Sequence, residues 1–216
     1  MATRLRLFVD FWNFQLDWNR LVGKTAESQP IPIPWKTSLP NVLRNAVSST
    51  SGTSVAYAGT HVYASVDPDS DSGLRKFLHA MDSFPGYSVL VEERRPRPGT
   101  VHCRCCGKHF SRCPECSKPL RRTIEKGIDA AILTDMIQMA YDDVFDVAVL
   151  ASNDADLCSG VRFIQDRLGK QVYLLWFPGV GHELRNACWS HFDVKALLDE
   201  LGVSPGMRPP GRFGSS

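Results

Sequence analysis

The chain has 216 residues, of which 43% are hydrophobic and 22% are charged. These values are ordinary for a globular domain and exclude a chain that is disordered throughout. The longest apolar runs fall far short of the ~18 residues that a membrane span needs, and no secretory signal is recognisable, so we expect a cytoplasmic protein whose seven cysteines stay reduced.

Charge is distributed unevenly along the chain. Residues 94–126 contain ten Lys and Arg against two Glu, a formal charge of +8, and the remaining 15 basic and 21 acidic residues sum to −6. A basic segment set into an acidic body indicates a polyanionic partner held by that segment. The carboxylates outside residues 94–126 are then expected to serve a function other than binding that partner.

The first 93 residues show the pattern of alternating strands and helices. Apolar and β-branched runs predict strands, and helical periodicity that stops at Gly, Pro or Ser predicts helices. In chain order we expect a strand at 4–9, a turn or helix start at 12–18, a proline-rich connection at 25–40, a helix at 39–47, a strand at 55–66, a helix at 73–81 and a strand at 87–92.

The pattern resumes after a cysteine-rich insert. We expect a helix at 127–141, a strand at 147–151, a helix at 157–168 and a strand at 171–177. Strands that alternate with helices predict an α/β domain with a parallel sheet covered on both faces. The predicted division is a domain formed by 1–93 and 119–202, an insert at 94–118 and a disordered tail at 203–216.

Carboxylates follow two of the predicted strands. Asp10 ends the first strand, with Asn13 three residues later, and Asp154 and Asp156 follow the strand at 147–151. Functional residues of parallel sheets lie beyond the carboxyl ends of the strands, so we expect these side chains to converge. The alternative for any one of them is a helix N-cap, a common role for Asp after a strand.

Two further carboxylates lie on the helix predicted at 127–141. Asp129 falls on the apolar stripe, where an unpaired carboxylate is costly, or else occupies an exposed first turn that favours its charge. Asp135 lies on another face, as a supporting or solvated residue. Converging carboxylates repel one another unless a hard divalent cation neutralises them, so we expect Mg²⁺ or Mn²⁺ and phosphoryl-transfer chemistry.

Three stretches carry these carboxylates: FVDFWNF (8–14), KGIDAAILTDMI (126–137) and FDVAVLASNDADL (145–157). They resemble the motifs of the NYN domain, LabA-like branch, in the PIN-like nuclease superfamily. The resemblance implies a Rossmann-like three-layer α/β/α sandwich and the acidic site of a metal-dependent ribonuclease. The matching positions are Asp10, Asn13, Asp129, Asp135, Asp154 and Asp156.

The chain departs from the family pattern at two places. Asn153 stands where relatives often have Gly, and the bulky pair Phe11 and Trp12 stands where they often have small residues. Both changes narrow the mouth of the expected pocket, and neither removes a metal ligand.

Five cysteines lie between residues 103 and 116. Two Cys-x-x-Cys knuckles separated by six residues are typical of a closed tetrahedral Zn²⁺ site, which would replace the core that an insert of ~25 residues cannot build. A redox dithiol is the alternative. The expected ligands are Cys103, Cys106, Cys113 and Cys116, with Cys105, His102 or His109 as substitutes.

Basic residues surround the knuckles and are expected to track a phosphate backbone. The alternative is the solvated face of a small structural ribbon. The residues assigned to nucleic-acid binding are Arg94, Arg95, Arg97, Arg121, Arg122 and Lys126.

The sequence therefore favours a metal-dependent endoribonuclease. Asp10, Asp129, Asp154 and Asp156 would bind the metal, Asn13 would orient a ligand or the attacking water, and the zinc ribbon would help to hold RNA. The rival hypothesis is a non-catalytic adaptor that binds RNA or a nucleotide in the pocket and recruits a protein through the ribbon. An adaptor does not need uncompensated negative charge facing a polyanion. A homodimer is compatible with the sequence.

Overall fold

The structure is a computed structural model that describes residues 2–23, 31–103 and 105–206. Residues 25–30 of the predicted proline-rich connection and residues 207–216 of the predicted tail lie outside the described residues. The start of that tail is packed, since Val203 is buried and the Gly206 N–H donates to the Val22 carbonyl at 2.7 Å.

A six-stranded, all-parallel sheet forms the centre of the molecule, in the order β10-β9-β8-β1-β2-β3. The remaining strands form two small antiparallel pairs in the insert, β4 with β7 and β5 with β6. The strands are β1 (Thr3–Asp10), β2 (Val55–Val66), β3 (Tyr87–Glu93), β4 (Arg95–Pro98), β5 (Val101–His102), β6 (His109–Phe110), β7 (Arg121–Ile124), β8 (Val147–Ala151), β9 (Gln171–Trp176) and β10 (Ser190–Asp193).

Helices cover both faces of the sheet, which confirms the predicted Rossmann-like α/β class. The helices are α1 (Phe11–Val22), α2 (Ser38–Ser51), α3 (Ser72–Asp82), α4 (Ile128–Tyr141), α5 (Cys158–Leu168), α6 (His182–Ala187) and α7 (Val194–Leu197), and a 3₁₀ turn lies at Ala155–Leu157. None of the helices in the described part of the chain is both long and apolar enough to cross a membrane.

The strand period of two explains why there are two cores. Along β1, Leu5, Leu7 and Val9 enter the core formed with α1, α2, α3 and α7, whereas Phe8 enters the core formed with α4, α5 and α6. Strands buried on both faces are nearly continuous hydrophobic runs, and β8 is buried at all five positions.

The centre of the sheet contains the topological switch point. The chain passes from β1 to β2 on one side, and β8 pairs with β1 on the other. Val9 is in register with Ala151, so Asp10 and the residues after Ala151 leave the sheet side by side. Ligands of doubly wound folds bind in the crevice at such a point.

The insert leaves the sheet after β3 on a two-stranded stem, β4 and β7. Arg97 pairs with Arg122 and Arg95 with Ile124 across this stem. The cysteine knuckles lie beyond it, next to the short β5–β6 hairpin. The stem begins one residue after the predicted boundary at 94, and its second strand follows the predicted boundary at 118.

Candidate functional site

An open acidic pocket of about 640 Å³ lies at the carboxyl end of the sheet, above the switch point. Three of its carboxylates, Asp10, Asp129 and Asp154, are among those predicted from the sequence. Asp17 and Glu125 are additional, and Arg20 and His182 reach the same pocket. The fold therefore brings together carboxylates from three separate parts of the chain.

Asp10 is the most buried of these carboxylates, with 5% of its surface exposed. It caps α1 by accepting a hydrogen bond from the Asn13 N–H at 3.2 Å, and the Ser152 hydroxyl donates to its other oxygen at 3.2 Å. Burial, followed by the charges of Glu125 and Asp129, raises the pKa of Asp10 to about 6 despite these bonds. The N-cap role and the pocket role coexist in one side chain.

Asp154 opens the 3₁₀ turn after β8. Its carboxylate accepts the Asp156 N–H at 2.9 Å, and its own N–H donates to the Ser152 hydroxyl at 3.2 Å. Asp156 is exposed and does not line the pocket, although its charge contributes to raising the pKa of Asp129. The structure thus places Asp154 at the pocket and Asp156 on the turn beside it.

Asp129 and Asp135 lie in different places although they share a helix. Asp129 occupies the first turn of α4, and its pKa is raised by burial and by the charge of Asp154. Asp135 accepts a hydrogen bond from the Tyr63 hydroxyl at 2.8 Å and lines a separate depression of about 300 Å³ beside β2 and β3. The structure does not bring Asp135 to the acidic pocket.

Asn13 connects helix α1 to the loop after β8, which carries Asp154. Its side-chain oxygen accepts a hydrogen bond from the Asn153 backbone N–H at 3.1 Å, and the Asn153 amide donates in turn to Asp17. Asp17 also pairs with Arg20 at 2.7 Å, so its charge is compensated. Asn13 therefore helps to hold the loop after β8 against α1.

Glu125 is a pocket carboxylate that sequence reasoning missed. It follows the stem strand β7 and accepts a hydrogen bond from the Ser65 hydroxyl at the end of β2. Arg94, which precedes the other strand of the stem, lies 3.6 Å from Glu125 and 4.9 Å from the centre of the Trp12 ring. Both ends of the insert are thus anchored at the pocket. The sequence around Glu125 gives no sign of this, because its neighbours are basic.

The donor set of the pocket fits a hard divalent cation. Neighbouring carboxylates add to the effect of burial in raising the pKa of Asp10 and of Asp129, and Arg20, the one Lys or Arg that lines the pocket in the described chain, is already paired with Asp17. Within residues 2–23, 31–103 and 105–206, no three His, Cys, Asp or Glu side chains lie close enough together to hold a metal ion. Mg²⁺ needs fewer, because it usually retains several waters and binds one or two carboxylates together with substrate phosphate.

The two cysteine knuckles have the same backbone turn. In each, the first cysteine N–H donates to the carbonyl five residues later, Cys103 to Lys108 and Cys113 to Lys118, both at 2.9 Å. Backbone N–H groups directed at the sulfurs lower the pKa of Cys103 and Cys113. These features favour thiolates. The described cysteines, all free, do not form a group of three, so the structure does not itself show a zinc site.

Of the six basic residues predicted to bind nucleic acid, five are exposed and one, Arg94, is held in place by its neighbours. Arg95, Arg97 and Arg122 share one face of the stem, where Arg97 and Arg122 are directly opposite each other, and Arg121 lies on the other face. Like charges opposite each other destabilise a strand pair, so this face favours an anionic partner. The side chains of these residues and of Lys126 are exposed, whereas Arg94 is held by Trp12 and Glu125.

Comparison with known proteins gives a family match over most of the chain. A family model described as the NYN domain matches residues 4–195. No curated protein matches the chain.

Among solved structures, 12 chains match. A crystal structure of a protein of unknown function from Vibrio parahaemolyticus RIMD 2210633 is 17% identical, with a TM-score of 0.54 over 89% of this chain and 93% of that chain. At this identity the likeness shows the fold alone. A structure described under the mechanism and regulation of Sir2 enzymes is 9% identical over 93% of this chain and 90% of that one. Its TM-score of 0.36 is too low to indicate a shared fold.

Proposed function

We propose that this chain, which belongs to the NYN domain family of the PIN-like nuclease superfamily, is a metal-dependent endoribonuclease of the LabA-like branch. The family generally comprises nucleases, which supports a hydrolase of nucleic acids. The proposal depends chiefly on the environment of Asp10. This carboxylate is buried at the switch point, and its pKa is raised by burial and by the charges of Glu125 and Asp129. Such an arrangement is costly to the fold and becomes favourable when a cation binds.

The residues of the pocket have separate roles in this proposal. Mg²⁺ or Mn²⁺ would bind among Asp10, Asp129 and Asp154, directly to one or two of these carboxylates and through metal-bound water to the rest, and Asp156 would add negative charge from the rim. When bound, the cation would activate a water and neutralise charge on the scissile phosphate. Asn13 would keep the loop after β8, which carries Asp154, against α1 through its bond to the Asn153 N–H.

The insert has a positioning role in the proposal. Residues 1–93 and 119–202 would form the nuclease domain, and residues 94–118 would form a ribbon closed by zinc on Cys103, Cys106, Cys113 and Cys116. The matched turns of the two knuckles support this, and zinc binding would require the knuckles to close on each other. The exposed arginines of the stem would contact the RNA backbone beside the pocket, where Glu125 and Arg94 anchor the stem.

The proposal is tested by cleavage of a labelled panel of single-stranded, hairpin and duplex RNAs and DNAs with and without Mg²⁺ or Mn²⁺. Asp154→Asn should lower turnover of the preferred RNA by at least about a hundredfold, because removing a ligand costs more than removing its outer-shell support. Asp166→Asn is the matched control, because Asp166 is an exposed carboxylate of α5 that does not line the pocket.

Two results would contradict the proposal. Turnover that is equal in wild type and Asp154→Asn at saturating metal would exclude the acidic pocket as the site of hydrolysis. Metal-free RNA binding without cleavage of any substrate would instead make the protein an adaptor.

A further inference from the structure

A cluster of cationic and aromatic side chains lies on the side of the acidic pocket away from the insert. Its members are Trp176 at the end of β9, His182 and Arg185 on α6, and His191 on β10; we call it the Trp176 cluster. The Arg185 guanidinium carbon lies 4.7 Å from the centre of the Trp176 ring. The His191 and His182 rings lie 5.4 Å and 6.1 Å from the same ring.

The turn after β9 fixes this cluster relative to the pocket. The Trp176 indole N–H donates to the Val180 carbonyl at 2.6 Å, and the Val180 N–H closes a turn onto the Phe177 carbonyl at 3.3 Å. Pro178 and Gly179 occupy the centre of this turn, and Gly179 has the positive φ of 93° that its third position requires. The turn leads directly to His182, which lines the acidic pocket.

Arg185 is held in place without being neutralised. Within the described chain no carboxylate lies within 4.0 Å of its guanidinium, in contrast to Arg20 and Arg94. The carboxylate of Asp193, on the neighbouring strand, instead accepts the Lys195 N–H at 2.8 Å. A guanidinium stacked on an indole keeps its N–H edge available and loses little freedom when it binds phosphate.

Sheet order places the Trp176 cluster and the insert at opposite sides of the acidic residues. Along the carboxyl edge the order is β9 with the cluster, β8 with Asp154, β1 with Asp10, then β2 and β3 with the insert stem. Four strand intervals of ~4.8 Å separate β9 from β3, about 19 Å in all. Apart from His182, the residues that line the pocket after β9 are Gly179, Val180 and Gly181, none of which has a charged side chain.

We propose that Arg185, held on the Trp176 ring that His182 and His191 also adjoin, binds a backbone phosphate of a single-stranded RNA on the β9 side of the pocket. The inference rests on the proposed ribonuclease function and extends it. It gives the RNA strand two cationic contacts, Arg185 and the arginines of the stem, on opposite sides of the reacting phosphate. Trp176 acts as a positioning residue for the guanidinium.

The test is binding of a fluorescein-labelled single-stranded RNA to the full chain in EDTA, followed by anisotropy at ~50 to 200 mM salt. Arg185→Gln should weaken binding about three- to tenfold and lower the slope of log affinity against log salt by roughly 0.7. Trp176→Leu should have a similar effect, and Trp176→Phe, which keeps an aromatic face, should restore most of the affinity. The matched control is Arg167→Gln, because the exposed Arg167 ends α5 at the opposite edge of the sheet.

Equal affinities and salt slopes for Arg185→Gln and Arg167→Gln would overturn the inference, and so would a wild-type protein that does not bind the RNA. A Trp176→Phe variant as weak as Trp176→Leu would overturn the positioning role of the ring. Cleavage with Mg²⁺ is measured separately on the same proteins. Absence of cleavage with the binding pattern intact would refute the nuclease function and leave the phosphate contact standing.

Discussion

Replacing Asp10 by Asn should stabilise the metal-free protein while removing its response to Mg²⁺. Asp10 is 5% exposed, and its carboxylate faces the charges of Glu125 and Asp129. An Asn side chain has nearly the same shape, is an equally good N-cap and can still accept the Asn13 N–H. The substitution therefore removes the charge and leaves the local structure in place.

The magnitude follows from the pKa of Asp10. Its rise from an ordinary 3.8 to about 6 corresponds to about 3 kcal/mol of destabilisation once the carboxylate is ionised. Because the pKa is raised on folding, the free energy of unfolding of the wild type falls as the pH rises from about 4 to about 6 and stays low above that range. Weakening the Ser152 hydrogen bond costs the variant about 1 kcal/mol. The net gain near pH 7.5 is about 1–2 kcal/mol, or roughly 2–8 °C in Tm for a chain of this size.

The assay is thermal unfolding of wild type, Asp10→Asn and the exposed-site control Asp166→Asn in EDTA at pH 7.5 and pH 4. The gain of the Asp10→Asn variant should be present at pH 7.5 and lost at pH 4, and the control should match wild type at both. Excess Mg²⁺ should raise the Tm of wild type and of the control but not of Asp10→Asn, since only a protein that binds the ion gains stability from it. A variant that is less stable than wild type at pH 7.5 in EDTA would refute the reasoning from burial and charge.

Two further predictions concern the insert and the loop after β9. Protein purified under reducing conditions should contain about one zinc ion per chain, which Cys103→Ser combined with Cys113→Ser should release; metal analysis that finds no zinc in the parent protein would contradict the ribbon. Gly181→Ala should lower the Tm by several degrees more than Gly169→Ala, because both glycines have positive φ, 62° and 66°, but only at Gly181 does a new Cβ meet another residue, 2.7 Å from the Asn153 side-chain oxygen. Equal Tm shifts for the two variants would show that the loop after β9 does not pack closely on Asn153.

The parts of the fold that the sequence predicts correctly are those with long, regular patterns. The apolar runs of β1, β2 and β8 are recognisable as strands, and their alternation with helices indicates a parallel sheet. The convergence of Asp10 and Asp154 follows from the same logic, since strand ends in a parallel sheet share an edge. β10 was not predicted, because four residues that include Ser190 and His191 give too short and polar a signal.

The rest of the site depends on contacts between distant segments. Glu125 reaches the pocket because the stem folds back on Ser65, 60 residues earlier, and no local pattern encodes that pairing. Asp135 matches a family motif, yet its hydrogen bond to Tyr63 places it at a different depression. The pairing of the Asn13 side chain with the Asn153 N–H likewise depends on how α1 and the loop after β8 meet, and no local pattern encodes that contact.

The antiparallel stem of the insert bears on how this protein can diverge. Arg95 and Ile124 are paired neighbours, so the chain leaves and re-enters the sheet domain through two points roughly 5 Å apart. A gap of this size can be closed by a tight turn or by a long inserted segment. Lengthening the segment raises the entropic cost of closing the loop only slowly. Everything beyond the stem can therefore be exchanged, shortened or enlarged over evolutionary time while the register of the six parallel strands is preserved. In such a lineage the acidic pocket would be retained, and new recognition modules would be inserted beyond the stem.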